Sequence, residues 1–401
     1  MIPIEPTLDV KPLPATSSDK PPFTNHPIEF AGSGSEYFRI WTVNLLLILV
    51  TLGIYLPWAK VRKIKYFYGN TLIDGHALDF HGEPKKMLRG TVLVGIFFVL
   101  YAQAFNVSPW AGMVASVAII ALWPLLFRAS LRFRLGNTSW RGLRFSFSGD
   151  IREAVFAISL PLALFLIPVG LLSISGNAVN AKTDPQLAMG YSLGFLAVMA
   201  LLALLTPYFF WRTKRYQHSH YNYGSLRTGL RRTPKEVYAI FLKVLLAMVA
   251  LGLAAGVVLA LAKGVSMANF RTGKRAPAAA ILAIALFVLI MVIVFNTVAK
   301  SYWIARMQNL IWTRTGNQNI RFISELAVGR FAWQQFKNYA LIVLTLGLYW
   351  PFAVVATRRM QIQAVTLRSR VGLDSINALA QAKSGAVGDV AVDMFDMDIG
   401  V

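Results

Sequence analysis

Thr51-Leu-Gly-Ile-Tyr-Leu-Pro57-Trp-Ala-Lys-Val61 and Thr345-Leu-Gly-Leu-Tyr-Trp-Pro351-Phe-Ala-Val-Val355 are two copies of one stretch, and Asn44 and Asn338 each stand seven residues ahead of the threonine. Repetition over so many positions marks an internal duplication, with repeat motifs at 44–61 and 338–355. Around the copies the chain is apolar. Of its 401 residues 56% are hydrophobic and 14% charged, a balance that no water-soluble domain of this size needs.

The apolar residues fall into eight blocks: Val43–Trp58, Thr91–Val107, Ala111–Phe127, Ala154–Gly176, Leu187–Trp211, Tyr238–Ala262, Ala276–Val298 and Tyr339–Ala356. Most approach the roughly 20 residues that an apolar core of about 30 Å demands of a helix. A membrane segment must satisfy its own backbone, so helices are expected. The first and last blocks are short, and each carries Gly and Pro near one end. Two readings follow: eight full spans, or six spans with 43–58 and 339–356 re-entrant or lying in the interface.

The net charge of +22 is concentrated between the blocks. Loops 59–90, 128–153, 212–237 and 299–336 are rich in Lys and Arg, whereas Asn106–Trp110 has neither and Asn177–Gln186 has only Lys182. The positive-inside rule places the basic loops in the cytoplasm, although four basic residues in Lys263–Arg275 break the pattern. Charge spread over membrane ends rather than one long patch argues against nucleic acid as the partner. There is no cysteine, which removes disulfide, thiolate and Cys-ligated metal chemistry. Residues 1–28 read as a disordered Pro-rich tail, 29–370 as the membrane domain, and 371–401 as a flexible acidic tail carrying Asp389, Asp393, Asp396 and Asp398 around Phe395.

The loops repeat as well. From Pro57 the chain runs twelve residues to Gly69-Asn-Thr71, then to Gly75 and Gly82; from Pro124 it runs twelve to Gly136-Asn-Thr138, then to Gly142 and Gly149. Weaker copies follow Pro207 and include Gly316-Asn317. Leu78 and Phe80, and Leu143, Phe145 and Phe147, alternate with polar residues at strand period, so short β-hairpins are expected. The resulting fold class is an all-α polytopic membrane protein with six to eight transmembrane helices, internal repeats and short cytoplasmic β-hairpins.

Glu36-Tyr-Phe-Arg-Ile-Trp41, Asn44, the Thr51–Arg62 stretch, Tyr66-Phe-Tyr-Gly-Asn-Thr71 and Phe80-His-Gly82 resemble the DUF898 family of YjgN-like bacterial inner-membrane proteins. The likeness covers about residues 28–365. It implies a multi-pass inner-membrane protein and brings no activity, substrate or catalytic residue. Ala353-Val-Val-Ala departs from the Ala-Lys-Val-Arg of the first copy.

Chemistry candidates are few. His76, Asp79, His81 and Glu83 in the first loop, with His218 and His220 in the third, offer imidazole and carboxylate ligands for a metal, although histidines two apart are also ordinary on a polar strand face. Asn44, Tyr55, Asn296, Asn338 and Tyr349 are the intramembrane polar residues from which a transport site would be built; as plain structure they join helices. Lys243 can snorkel, and Gly252 with Gly256 reads as close helix packing. Lys60, Arg62, Lys63, Lys65, Arg132, Arg134, Arg212, Lys214 and Arg215 face the level of anionic headgroups. No cofactor motif or enzyme constellation is present, so the chain reads as a non-enzyme. A transporter or channel for a small, anionic solute is the leading expectation, and a headgroup-binding or scaffold protein, self-associating or not, is the alternative.

Overall fold

Each of the two quoted stretches reverses the chain. In the computed structural model, which describes residues 22–178, 185–231, 233–271 and 293–375 with a few positions between 282 and 291, helix α1 (Gly34–Val50) turns at 51–55 into α2 (Leu56–Gly69). Helix α9 (Val328–Leu344) turns in the same way into α10 (Trp350–Gln363). Leu52 and Gly53 take φ of 49° and 92°, Leu346 and Gly347 of 48° and 95°. Two successive left-handed residues end the first helix and redirect the chain.

The other motif residues secure that turn. The Thr51 hydroxyl donates to Leu47 O at 2.7 Å and accepts from Tyr55 N at 3.0 Å. Thr345 makes the same two bonds, to Leu341 O and from Tyr349 N. The proline then enters the second helix in its first turn, where a missing N–H is no loss. Tyr55 stacks on Trp58 and Tyr349 on Phe352. The tips Leu52 and Leu346 are 94% and 95% exposed, apolar groups offered to lipid.

The same plan recurs with longer helices: α3 (Pro84–Val107) with α4 (Pro109–Gly136), α5 (Ile151–Ala178) with α6 (Pro185–His218), and α7 (Pro234–Arg271) with α8 (Lys300–Arg314), the last entered through a π-helical turn at Phe295–Ala299. Short strands link the pairs: β1 (Thr24–Phe30), β2 (Thr71–Ile73), β3 (His76–Phe80), β4 (Thr138–Trp140), β5 (Leu143–Phe147), β6 (Tyr221–Tyr223), β7 (Leu226–Arg227), β8 (Gly229–Leu230), β9 (Thr315–Gly316), β10 (Ile320–Ser324) and β11 (Val365–Ser369).

Among the described residues strand register shows five equivalent units. The last residue before each helical hairpin pairs with the first residue of the strand that follows it: Phe30 with Thr71, Phe80 with Thr138, Phe147 with Tyr221, Leu230 with Thr315, and Ser324 with Val365. All five hairpins therefore leave from and return to one rim of the sheet. Each packs on the next, and α10 closes the ring on α1.

The sheet is antiparallel, in the order β7-β6-β5-β4-β3-β2-β1-β11-β10-β9-β8. Its two ends, β7 and β8, are neighbours in the chain separated only by Thr228, so the sheet curls into a nearly closed barrel. The interior is filled. Trp140, Tyr223, Leu367 and Leu373 form its buried centre, with Ile73, Leu78, Leu143, Phe145, Leu226, Ile320 and Phe322 around them. Tyr223 donates its hydroxyl to Trp140 O at 3.0 Å, and burial pushes that phenol up to about 12. A barrel so packed is a core rather than a channel.

These observations correct the all-α class with six to eight spans. The hairpins expected as separate appendages are one barrel-like sheet of 11 strands. Among the described residues four helices are long and apolar enough to cross a membrane, at Pro84–Ala104, Trp110–Gly136, Gln186–His218 and Pro234–Val257. The blocks 43–58 and 339–356 are not single helices at all, because the Leu-Gly pair breaks each one. Strand β1 takes residues 24–28 of the expected tail. Leu373 beyond residue 370 plugs the barrel; the acidic residues 389–398 lie outside the described residues.

Candidate functional site

Five helices, α2, α4, α6, α8 and α10, return to the sheet, and each carries cations on its final turns. Counting back six residues from the first residue of the following strand gives Lys65, Arg132, Arg215 and Arg359 on four of the five, with Asn309 on the remaining one. Counting back nine gives Arg62, Arg212 and Arg306 on three. At 1.5 Å rise these positions lie about 9 and 14 Å from the sheet. Lys65, Arg132, Arg215 and Arg359 are all exposed, and among the described residues none has a carboxylate within ion-pair distance. A belt of charge thus circles the root of the helices, just where the apolar stretches give out.

Aromatic rings hold the belt in place. Arg62 lies over Tyr55, Arg212 over Phe156, Arg215 over Trp211 and Arg306 over Tyr302, at 5.4–5.7 Å from the ring centroids. Stems packed on rings with charged heads outward suit the boundary between lipid and water. Arg359 also donates to Gly32 O at 2.8 Å, tying α10 to the end of β1. Lys60, Lys63 and Arg134 are further exposed cations of the same layer, while Lys214 donates to Gln217. Arg314 is the exception, paired with Glu236 at 2.6 Å.

The histidine candidates separate into two places. His76, Asp79 and His81 line a pocket of about 600 Å³ on the barrel with Ser139, Arg141 and Arg144; Glu83 is outside it. There His81 Nε2 meets Ser139 Oγ at 2.7 Å, and its Nδ1 stands 3.7 Å from Asp79. His218 and His220 lie elsewhere and are buried. His218 Nδ1 contacts the Thr315 hydroxyl at 3.1 Å, and His220 bridges Tyr216 O and Glu153 at 2.8 and 3.2 Å. Among the described residues no three His, Asp or Glu side chains are grouped as a metal site would need.

The intramembrane candidates also resolve. Asn338 is 2% exposed; its amide donates to Ala353 O at 3.3 Å and Thr357 Oγ1 at 3.1 Å and accepts from Gln334 at 3.0 Å. It staples α9 to α10. Asn44 is buried at the matching place in the first hairpin, while Tyr55 and Tyr349 belong to the turns, and the Asn296 side chain lies outside the described residues. No atom approaches within 4 Å of a Cβ built on Gly252 or Gly256, so the expected close packing is not made within the described chain. Asn338→Leu keeps the branched shape but leaves the part-buried Gln334 amide without its acceptor; it is expected to lower stability by about 1–3 kcal/mol, read in unfolding measured in one detergent.

Sequence reasoning missed the fivefold positions of the belt because it counted four loops. The signal was available as cations six residues ahead of Thr71 and Thr138, extended to Tyr221 and Val365.

A helical-hairpin ring set on a barrel-like sheet, with four helices able to span a bilayer, defines a membrane protein. The chain belongs to the DUF898 family, described as bacterial protein of unknown function, whose model matches residues 25–394. It is similar to the inner membrane protein YjgN of Salmonella typhimurium, 28% identical over 182 residues, and to that of Escherichia coli, 29% identical over 187 residues. These alignments cover 45% of this chain and 45% and 44% of the two relatives, so the chain matches less than half of the length of either. No solved structure matches it.

Proposed function

We propose that this is a multi-pass protein of the bacterial inner membrane that binds anionic phospholipid headgroups through its belt and organises lipid around the helix ring. The observation that carries the reading is the recurrence of an exposed cation six residues ahead of the strand on four of five returning helices. Exposed apolar side chains such as Ile96, Phe98, Leu196 and Leu246 continue outward from that level, so acyl chains and headgroups would each meet a matching surface. The apolar filling of the barrel and the satisfied amide of Asn338 give less support to a transport path for a small anionic solute.

Each near-surface cation adds about 1 kcal/mol toward an anionic membrane. Replacing Lys65, Arg132, Arg215 and Arg359 by glutamine is therefore expected to reduce retained phosphatidylglycerol relative to phosphatidylethanolamine by tenfold or more, read by mass spectrometry of lipids kept through purification. An unchanged ratio in a folded variant would remove the proposal.

A further inference from the structure

The opposite rim of the barrel carries a second cluster of charge that the belt does not explain. Arg321 and Arg368 are directly paired across β10 and β11, and directly paired residues share one face of a sheet. Asn25 continues the row on β1. One step further from the helices, Thr24 pairs with Ser369, which sets Phe23 beside Arg370. The Arg321 and Arg370 guanidiniums lie over the Phe23 ring at 4.9 and 4.4 Å. Arg231, just beyond Leu230 at the helix-side end of β8, is not part of this row but adds to its charge; burial first, and then the charges of Arg231 and Arg370, hold Arg321 below its ordinary value.

Like charges set directly opposite each other on a sheet repel, and nothing within the described residues neutralises these. Among the described residues Arg321, Arg368 and Arg370 have no carboxylate within 4 Å and donate no side-chain hydrogen bond. The Nε atoms of Arg321, Arg368 and Arg370 are buried without an acceptor. Folding has thus gathered three guanidiniums, two of them over one aromatic ring, with their charge uncompensated among the described residues. Arg rather than Lys is used at every position, the residue whose planar fork matches phosphate geometry.

We propose that Arg321, Arg368 and Arg370, braced by Phe23, form a binding site for a soluble ligand carrying two or more phosphates. Two phosphates bring a charge of about −3 to −4, which balances three guanidiniums, whereas a single carboxylate would leave most of it. The ligand is soluble because Arg321, Arg368 and Arg370 lie toward the rim away from the helices: the hairpins leave from the Phe30, Phe80, Phe147, Leu230 and Ser324 ends of the strands, and Arg370 follows the far end of β11. The site is thereby distinct from the headgroup belt.

The test is calorimetric titration of pyrophosphate into the full chain in nanodiscs of zwitterionic lipid, with sulfate at equal ionic strength as the control. Saturable binding is expected. It weakens tenfold or more in Arg321→Gln/Arg370→Gln and is unchanged when Lys65, Arg132, Arg215 and Arg359 are glutamine. Should the glutamine pair fail to fold, Arg321→Lys/Arg370→Lys retains charge but loses the fork, and weaker binding is again the expected result. Three outcomes of these titrations overturn the proposal. Pyrophosphate binds the folded variants as tightly as the parent; the response follows ionic strength alone; or only phosphatidylglycerol vesicles, not pyrophosphate, respond to the Arg321 and Arg370 changes, which would make the ligand a lipid. A further arm replaces Asp389, Asp393, Asp396 and Asp398 with asparagine: binding seen only then would make the chain's own acidic segment the occupant and sink the idea.

Discussion

Phe80→Ala is expected to lower the unfolding free energy by about 3–5 kcal/mol, the cost of removing a buried aromatic side chain. Phe80 ends β3 at 1% exposure and meets Tyr68 edge-on at 5.9 Å. Its ring reaches back over the residue two positions on, Gly82. A Cβ built there would come within 2.5 Å of Phe80 Cζ, closer than real contacts allow. Gly82→Ala is therefore expected to cost about 1–3 kcal/mol by overpacking, while Gly136→Ala, with nothing within 4 Å of its Cβ, should cost nothing or stabilise its helix. The two effects share one cause, so they should not add. With the ring removed, Gly82→Ala should become nearly neutral, giving a coupling of at least 1 kcal/mol in a double-mutant cycle. Chemical unfolding in a fixed detergent, followed by tryptophan fluorescence, measures all four species. Additive losses would show that the ring does not occupy the space above Gly82.

That cycle also bears on what the sequence disclosed. Phe-x-Gly stands at 30–32, 80–82 and 147–149, and at each place a Cβ on the glycine would meet the phenylalanine ring. Spacing from Gly69-Asn-Thr71 and Gly136-Asn-Thr138 disclosed two of these units, because local turn chemistry writes itself into adjacent residues. Asp74-Gly75 and Arg141-Gly142 do adopt the positive φ of a tight hairpin. Phe30-Ala-Gly32 escaped because β1 lies within a Pro-rich stretch and pairs with Thr71 and Ser369, partners about 40 and 345 residues away. Strands of two to seven residues leave hardly any periodicity of their own. The Thr-Leu-Gly copies showed that a helix is interrupted, but whether the chain crosses or turns back depended on Leu52 and Leu346 taking a conformation that leucine seldom adopts. Of the site candidates, the cations were legible as charge between apolar blocks. Their alignment into a belt was not, since it requires the register that brings Tyr221 and Val365 level with Thr71.

Trp140→Ala decides whether the barrel is one body. Trp140 is 5% exposed and sits 5.6 Å from the Tyr223 ring, with its indole N–H donated to His76 O at 3.2 Å. Its cluster includes Ile320 and Phe322 of β10, which the chain reaches only after α5 to α8, and Leu367 of β11, which it reaches only after α9 and α10 as well. Were the β-hairpins independent appendages of their helices, losing this side chain would disturb β4 and β5 alone. In a closed barrel the cavity opens toward every strand that lines it, and the relaxation is shared. The expected loss is about 3–5 kcal/mol, accompanied by faster amide hydrogen exchange in Ile320–Ser324 and Val365–Ser369 as well as in Thr138–Trp140 and Leu143–Phe147. Exchange that quickens only in β4 and β5 would mean that the interior is not common to the ring. Quickening across the barrel would also extend to β1 through its pairing of Thr24–Pro27 with Thr366–Ser369, the contact that fastens the first strand to the last. That contact holds Phe23 against Arg370, so a barrel loosened by Trp140→Ala should lose the arginine cluster while the belt on the returning helices persists.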